Sequence, residues 1–236
     1  MKLMREYMES LLVAVLLALA MRFFVISAYK IPTGSMLPTL KVGDFIFAYR
    51  LPYGFPIPFS GGERINARLP DRGDVVVFRY PGNEDVNYVK RVVGLPGDRI
   101  AIKNKKLFIN DIESSYRPLS DGLINDVPNS DYYSASGESF SGDAEHATDP
   151  TLEHTVMNNH ADQADFFGPV VVAPGQIFVL GDNRDSSDDS RYWGTVPASH
   201  LEGRVVLIWL SLDWVHTWGG ERWPTVRWDR VFKKVE

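Results

Sequence analysis

The chain has 236 residues, enough to bury a core as one domain or as one domain with an excursion. Its 25 lysines and arginines against 30 aspartates and glutamates give a formal charge of −5 without any basic block, which argues against a nucleic-acid binder. The chain has no cysteine, so disulfides, thiolate metal sites and a cysteine nucleophile are excluded.

The first predicted element is an apolar segment near the N-terminus. Residues 11–28 are apolar except for Arg22 and Ser27, and this length is near the minimum for a helix that spans a membrane. We therefore expect a transmembrane helix over residues 9–28, preceded by a short tail of residues 1–8.

The alternative for this segment is a cleavable signal peptide. Lys2 and Arg5 would be its charged region, residues 11–17 its apolar core, and Ala18-Leu19-Ala20 its cleavage site, with small residues at both ends. The membrane-spanning interpretation is favoured because apolar residues resume after Arg22, at positions 23–26.

After this segment, short runs of β-branched and aromatic residues alternate with turns that contain Gly and Pro, a pattern typical of strands. The predicted strands cover residues 44–49, 75–80, 87–93, 99–102, 106–109, 170–172, 176–180 and 204–209. Helical periodicity is almost absent beyond the N-terminus. We therefore expect a mainly β protein with a β-sandwich or barrel-like body, formed by residues 29–110 and 170–236.

Residues 111–169 have a different composition. Residues 111–167 contain 12 acidic residues against one basic residue, Arg117, with many Ser, Asn, Asp and Gly. Such a segment has little with which to form its own core, so we predict an acidic insertion, partly loop or poorly ordered. Its three histidines fit no compact metal-ligand spacing and are interpreted as loop residues rather than a metal site: His146, His154 and His160.

Three polar blocks stand out in the predicted body. Residues 31–39 are IPTGSMLPT, residues 88–98 are YVKRVVGLPGD, and residues 181–191 are GDNRDSSDDSR. A serine hydroxyl is a weak nucleophile until a base takes its proton. No Gly-x-Ser-x-Gly elbow is present, and the two histidines outside the insertion, His200 and His216, lie in no recognisable motif.

Lys90 is a candidate base. It lies in a strand suited to burial, beside Val89, Val92 and Val93. To accept a proton at neutral pH, its pKa must fall from ~10.4 towards ~7–8, a difference of roughly 4 kcal/mol that desolvation can supply. Taken singly, Lys90 could instead be an edge-strand lysine that discourages aggregation, and Ser35 an ordinary loop serine.

Together, the three blocks resemble the serine, lysine and supporting polar boxes of bacterial type I signal peptidase, the protease that removes export signals. The resemblance covers roughly residues 9–110 and 170–210. It implies that Ser35 attacks the scissile carbonyl with Lys90 as general base, through an acyl-enzyme, and that no metal or cofactor takes part. It also implies an oxyanion hole formed by the Ser35 backbone N–H and the side chain of Thr33, where relatives often have serine.

The resemblance further assigns supporting and substrate-binding residues. Ser187 is placed where a serine would hydrogen-bond the Lys90 amine and orient it towards Ser35. The charged residues expected to brace this region are Asp182, Asp189, Arg191 and Arg91. The expected apolar lining of the substrate pockets consists of Ile31, Pro32, Met36, Leu40, Tyr88 and Val89. Family substrates have small side chains at the first and third positions before the cut, Ala-x-Ala, and are expected to bind as an added strand.

The resemblance also implies the partners and the location. The partners are preprotein signal peptides and membrane lipid, and the protein would be a single-pass protein of the cytoplasmic (inner) membrane. The resemblance implies that the catalytic domain lies on the extracytoplasmic side. The charges around the helix are too balanced to decide the orientation by themselves. Core packing and lipid contact are both open for the five tryptophans of the last 28 residues: Trp209, Trp214, Trp218, Trp223 and Trp228.

Three alternatives to this interpretation remain. Another Ser-Lys peptidase, such as the self-cleaving repressor type, would need a DNA-binding or cleavable N-terminal region in place of the apolar segment. A non-catalytic, membrane-tethered β-module would have no chemical need for both Ser35 and Lys90. Without the resemblance, residues 181–191 could be an acidic calcium-binding loop.

Overall fold

The structure is a computed structural model and describes residues 2–57, 60–61, 63–120, 124, 133–140, 153–159, 166–214, 217–218 and 221–235. Its α-helices are α1 (Lys2–Ala20) and α2 (Ser190–Trp193). Its strands are β1 (Ile26–Lys30), β2 (Asp44–Tyr49), β3 (Phe55–Pro56), β4 (Arg64–Ile65), β5 (Val75–Tyr80), β6 (Asn83–Gly94), β7 (Arg99–Lys103), β8 (Lys106–Ile109), β9 (Ile112–Glu113), β10 (Ser115–Pro118), β11 (Tyr133–Ser139), β12 (His154–Asn159), β13 (Phe166–Val171), β14 (Gln176–Leu180), β15 (Val196–Pro197), β16 (Leu201–Asp213), β17 (Thr217–Trp218), β18 (Glu221–Arg222), β19 (Thr225–Val226) and β20 (Lys233–Lys234).

The main feature of the fold is an antiparallel sheet with the strand order β1-β2-β16-β5-β6-β14-β15, to which β19 and β20 add along β16. The prediction of a mainly β protein is confirmed. Strands β2, β5, β8 and β14 have the predicted bounds, and β6 and β16 are longer than predicted. These runs form strands because their β-branched and aromatic residues fit a pleated surface that is covered on one or both faces.

Strand β5 is buried on both faces, which explains its uninterrupted apolar run. Val75 and Val77 pack on one side with Met36 of the loop that follows β1. Val76 and Phe78 pack on the opposite side, with residues of β6 and β14. Because successive side chains of a strand point to opposite faces, a strand inside two packed layers needs apolar residues at every position.

A second sheet, with the order β13-β7-β8-β9, covers one end of the main sheet. Ile100 of β7 and Leu107 of β8 bury their side chains against Val93 of β6 and Phe178 of β14. The body therefore has two packed β layers in this part. Their packing anchors β6 at Val93, three residues after Lys90.

The N-terminal segment differs from its predicted bounds of 9–28. Helix α1 begins at Lys2 and ends at Ala20, a π-helical turn follows at Met21–Val25, and β1 begins at Ile26. The helix ends early because residues 26–30 pair in register with β2, a long-range interaction that outweighs the apolar pattern. Among the residues described, no helix is both long enough and apolar enough to cross a membrane.

The middle segment, residues 111–169, has more regular structure in its described part than its composition indicates. It contains β9 to β12 and most of β13, and β10, β11 and β12 form a three-stranded sheet. Ile124, Ala135 and Met157 are buried together against Leu37 of the body. The segment forms a core because the body contributes part of the apolar surface, which composition alone cannot reveal. His154 is buried in β12, whereas His146 and His160 lie outside the described residues.

The C-terminal tryptophans divide into two kinds. Trp209 stacks on Phe47, with ring centroids 5.5 Å apart. The exposed fractions of the others are 42% for Trp214, 57% for Trp223 and 77% for Trp228. Trp209 therefore packs against aromatic rings of β2 on a half-buried face of the sheet, and the side chain of Trp218 lies outside the described residues.

Candidate active site

The serine block forms the loop between β1 and β2. Its backbone is held by residues far away in sequence, because the Asn183 N–H donates to the Ser35 carbonyl at 3.1 Å. The Asn183 side-chain amide also donates to the Gly34 carbonyl at 3.1 Å. The loop that carries Ser35 is thus tied directly to the third polar block.

Lys90 reaches Ser35 from β6. Its Nζ lies 2.6 Å from the Ser35 Oγ, although 55 residues separate the two in the chain. Lys90 is opposite Val76 in the β5–β6 register and only 3% exposed, and its Nζ lies 5.7 Å from the centre of the Tyr88 ring. The sheet therefore presents the amine to the serine from within a water-poor environment.

The environment of Lys90 makes its amine a base. Burial lowers its pKa to about 8, because desolvation disfavours the charged form. Asp189, Asp188 and Asp182 oppose this effect. These three carboxylates are distant from Lys90 along the chain and approach it only through tertiary folding. A substantial fraction of Lys90 is nevertheless neutral near pH 8.

Asp182 is fully buried and joins the three blocks. It accepts hydrogen bonds from the Arg91 Nε and Nη2, each at 2.9 Å, and from the Thr39 Oγ1 at 2.5 Å. Burial by itself would raise the pKa of Asp182, but the ion pair with Arg91 holds it below its ordinary value. The Asp182 carboxylate, at the start of the third block, therefore holds both Arg91, next to the lysine, and Thr39, at the end of the serine block.

A second ion pair shapes the end of the third block. Arg191 donates to Asp189 through its Nε at 2.8 Å and its Nη2 at 3.0 Å. Asp189 also accepts the Gly181 N–H at 3.0 Å and caps α2. Because Asp182 and Asp189 are engaged by arginines, the geometry does not favour the calcium-loop alternative.

Two residues of this block show how tightly it packs. A Cβ on Gly181 would lie 2.5 Å from the Ser35 carbonyl oxygen and 2.2 Å from the Ser187 Oγ, so a side chain at position 181 would displace the nucleophile loop. Ser187 is buried, and its Oγ has no hydrogen-bond partner among the described residues. The expected hydrogen bond from Ser187 to Lys90 is therefore not formed in this conformation.

A groove of about 380 Å³ runs from the Ser35–Lys90 pair. Five of the six predicted lining residues border it: Ile31, Pro32, Met36, Tyr88 and Val89. Leu40 does not, and this prediction was wrong. Leu40 is fully buried and packs in the core with Ile46, because a turn between Leu40 and Met36 directs it inward. Thr33 is exposed and borders the groove.

Sequence reasoning missed other residues that line the groove: Tyr29, Lys30, Val77, Val86, Asn87, Ser186 and Asp188. Alternation along a strand could have indicated Tyr29 from Ile31 and Val86 from Tyr88. No local signal could have indicated Asp188, which reaches the groove from the third block.

The backbone beside the groove is available for pairing. Strand β14 pairs with β6 only at residues 91–94, so residues 86–90 have no partner on that side among the described strands. Strand β1 is likewise at the edge of the main sheet. An extended peptide in the groove could therefore hydrogen-bond to exposed strand edges.

Comparisons with the sequences of known proteins identify the family that the three blocks resemble. The family model described as "Signal peptidase, peptidase S26" matches residues 4–210. The chain is 37% identical to "Signal peptidase I" of Pseudomonas fluorescens, with 87% of this chain and 72% of that protein covered. It is 32% identical to "Signal peptidase I" of Rickettsia typhi, with 89% and 81% covered. A crystal structure of a signal peptidase I from Enterococcus faecalis is 31% identical, with a TM-score of 0.34 and coverage of 58% of this chain and 97% of that one.

Proposed function

The chain belongs to the signal peptidase family, peptidase S26, and is a serine peptidase, and on that premise we propose that it removes N-terminal signal peptides from exported preproteins by a Ser-Lys acyl-enzyme mechanism. The observation that carries this proposal is the 2.6 Å separation of the Lys90 Nζ and the Ser35 Oγ. That distance lies within the range required between a nucleophile and its base.

In the proposed mechanism, the neutral Lys90 amine takes the proton of Ser35 as the Oγ attacks the scissile carbonyl. The resulting oxyanion is held by the Ser35 backbone N–H and the Thr33 hydroxyl. Lys90 then gives its proton to the leaving amine as the peptide bond breaks. Water, deprotonated by Lys90, attacks the acyl-enzyme, and the proton returns to Ser35 when the signal peptide leaves.

The buried ion pairs keep these groups in place. Asp182 with Arg91, and Asp189 with Arg191, are proposed to brace the segment that contacts the nucleophile loop rather than to carry protons. Ser187 is proposed to engage the Lys90 amine once substrate is bound, since its Oγ is buried in the same segment and makes no other hydrogen bond among the described residues.

The groove supports specificity for small side chains. Ile31 and Met36 are almost fully buried beneath it, so pockets next to Ser35 are shallow. A substrate strand would pair with the exposed edges beside the groove through its backbone, and only alternate side chains would enter pockets. This arrangement suits an Ala-x-Ala sequence before the cut and tolerates unrelated residues elsewhere.

Membrane attachment is proposed through α1. Residues 11–20 of α1 carry no charge, and their side chains are exposed: Leu11 is 57% and Leu17 62% exposed. Contiguous exposed apolar surface of this kind marks a contact with lipid or with another protein. We place the body, residues 29–110 and 170–236 with the middle segment folded against it, on the extracytoplasmic side of the cytoplasmic membrane.

The test is cleavage of a preprotein by the purified protein in detergent. Wild type is expected to release a mature protein whose new N-terminus follows Ala-x-Ala, as read by N-terminal sequencing. Ser35→Ala and Lys90→Ala are expected to release none. Cleavage is expected to increase as the pH rises through about 8, because Lys90 then loses its proton.

Lys106→Ala is the matched control. Lys106 is an exposed lysine that pairs with Glu113, and both lie in the second sheet, away from Lys90. It is expected to cleave as wild type does. Equal cleavage by wild type and both active-site variants would reject the mechanism. A folded wild type that cleaves no preprotein would favour the non-catalytic module.

A further inference from the structure

The three-stranded sheet β10–β11–β12 touches the third polar block directly. The Met157 N–H of β12 donates to the Asp182 carbonyl at 2.8 Å, and Met157 forms a parallel bridge with Asn183. The Asn159 N–H donates to the Asp185 Oδ2 at 2.5 Å. Strand β12 of the middle segment, residues 111–169, therefore pairs through its backbone with the third polar block.

A buried carboxylate strengthens this contact. Glu138 of β11 is fully buried and accepts hydrogen bonds from both Arg184 Nη1, at 3.3 Å, and Arg184 Nη2. The Tyr116 hydroxyl donates to the same carboxylate, and the His154 Nε2 lies 3.0 Å from it. Burial alone would raise the pKa of Glu138, but Arg184 and His154 hold it well below its ordinary value, so the carboxylate stays ionised.

Arg184 lies between two parts of the active site. The residue before it, Asn183, donates to the carbonyls of both Ser35 and Gly34. The Arg184 carbonyl accepts a hydrogen bond from Arg191, which pairs with Asp189. Fixing Arg184 therefore fixes the position of the nucleophile loop.

We propose that Glu138 is a positioning residue for the peptidase reaction: it acts through Arg184 and Asn183 to hold Ser35 at reaction distance from Lys90. The inference rests on the proposed function and extends the active site into the middle segment. Glu138 does not contact the reacting atoms, and its effect is on geometry alone. Misplacement of a reacting group by about 1 Å can cost about 100-fold in rate.

The test is Glu138→Gln, which keeps the size of the side chain and removes its charge. We expect kcat for preprotein cleavage to fall about 10- to 100-fold, with KM within about twofold of wild type. KM should stay because the strand β6, with which the substrate would pair, is held in place by β5, whereas kcat falls because the serine is displaced from the amine. Single-turnover rates measured well below the melting temperature separate this effect from unfolding.

The matched control is Glu202→Gln, which makes the same substitution at another carboxylate paired with an arginine. Glu202 lies 2.6 Å from Arg50, its side chain is only 19% exposed, and it belongs to none of the three polar blocks. It is expected to lower the melting temperature and leave kcat within about twofold. An equal loss of kcat in both variants would reject the inference, because the effect would then be a general one of stability.

A double variant tests the route through Asn183. If Glu138 acts through Asn183, Glu138→Gln combined with Asn183→Ala should lower kcat little more than Asn183→Ala alone. Independent, multiplying losses would overturn the route. Tyr116→Phe serves if Glu138→Gln does not fold. It removes one hydrogen bond to the carboxylate and should lower kcat about two- to fivefold, and an unchanged kcat would overturn the inference.

The proposed function fails by a different result. If Ser35→Ala cleaves as wild type does, the Ser-Lys mechanism is wrong. If Ser35→Ala is inactive while folded Glu138→Gln retains the kcat of wild type, only the positioning role is wrong.

Discussion

Lys90 and Arg91 are neighbours in β6 and are both buried, at 3% and 1% exposed, yet they meet opposite surroundings. Lys90 contacts a neutral hydroxyl, and burial lowers its pKa to about 8. Arg91 contacts the carboxylate of Asp182 through two hydrogen bonds of 2.9 Å. The two faces of one strand therefore hold a cation that can lose its proton and a cation that cannot.

Burial makes a base of a cationic side chain only where no carboxylate neutralises its charge by direct contact. A lysine titrates readily when it is desolvated, whereas a guanidinium remains charged. The carboxylates near Lys90 act at a distance and only partly restore its charge. Placing the lysine and the arginine one residue apart lets the same sheet build the reactive pair and its support.

The largest expected effect comes from replacing Lys90 by a cation that cannot lose its proton, as Arg91 cannot. Lys90→Arg keeps a cation beside Ser35 but removes the base, because arginine does not deprotonate. We expect kcat to fall by at least ~10⁴-fold, as when one member of a catalytic unit is removed. Lys106→Arg, the same change at an exposed lysine, should have no effect, and an activity of Lys90→Arg within tenfold of wild type would contradict the comparison.

The next largest effect is the loss of stability expected when Arg91, the cation that cannot lose its proton, is removed. Arg91→Met leaves the buried Asp182 without its ionic partner, and breaking such a pair typically costs about 3–5 kcal/mol of unfolding free energy. Chemical unfolding in detergent measures the loss. Adding Asp182→Asn to the variant should recover part of it, since the uncompensated charge is then gone. A loss below about 1 kcal/mol would show that Asp182 does not depend on Arg91.

Removing the Lys90 amine should increase the free energy of unfolding, whereas removing Arg91 should decrease it. The displacement of the Lys90 pKa from 10.5 to about 8 corresponds to about 3 kcal/mol. The folded protein binds fewer protons than the unfolded chain between these two pH values, so the stability of wild type rises over that interval and is lowest below pH 8.

Lys90→Met should therefore be more stable than wild type by about 3 kcal/mol at pH 7, with the advantage vanishing towards pH 10.5. Unfolding curves at both pH values measure the difference. A destabilised Lys90→Met at pH 7 would mean that the amine is not held against its preferred charge state.

The smallest effect concerns the carboxylates that act at a distance. Asp188 is exposed at the groove and raises the pKa of Lys90. Asp188→Asn should lower that pKa further, so the pH–kcat profile moves to lower pH. An exposed charge is worth about 0.5–1 kcal/mol, which gives a two- to fivefold higher kcat below the midpoint of the profile. The remote Glu113→Gln should not move the profile, and an alkaline movement with Asp188→Asn would contradict the assignment.

The strands were predictable where the signal is local. The runs that form β2, β5, β8 and β14 match the structure because burial of a pleated strand leaves a pattern in its own residues. The end of α1 and the sheet of the middle segment were not predictable. Pairing of β1 with β2 ends the helical segment, and Leu37 from the body helps to cover Met157 of the middle segment.

For the site, the order of amino acids already identifies the side chains that are chemically competent: a serine, a lysine and a set of charged residues in three ordered blocks. The states of these side chains depend on the fold. The fold buries Leu40, leaves the Ser187 hydroxyl without a hydrogen-bond partner among the described residues, and brings Asp188 to the groove. The pKa of Lys90 is also a tertiary property, because it depends on the water excluded and the carboxylates gathered around the amine by residues distant along the chain.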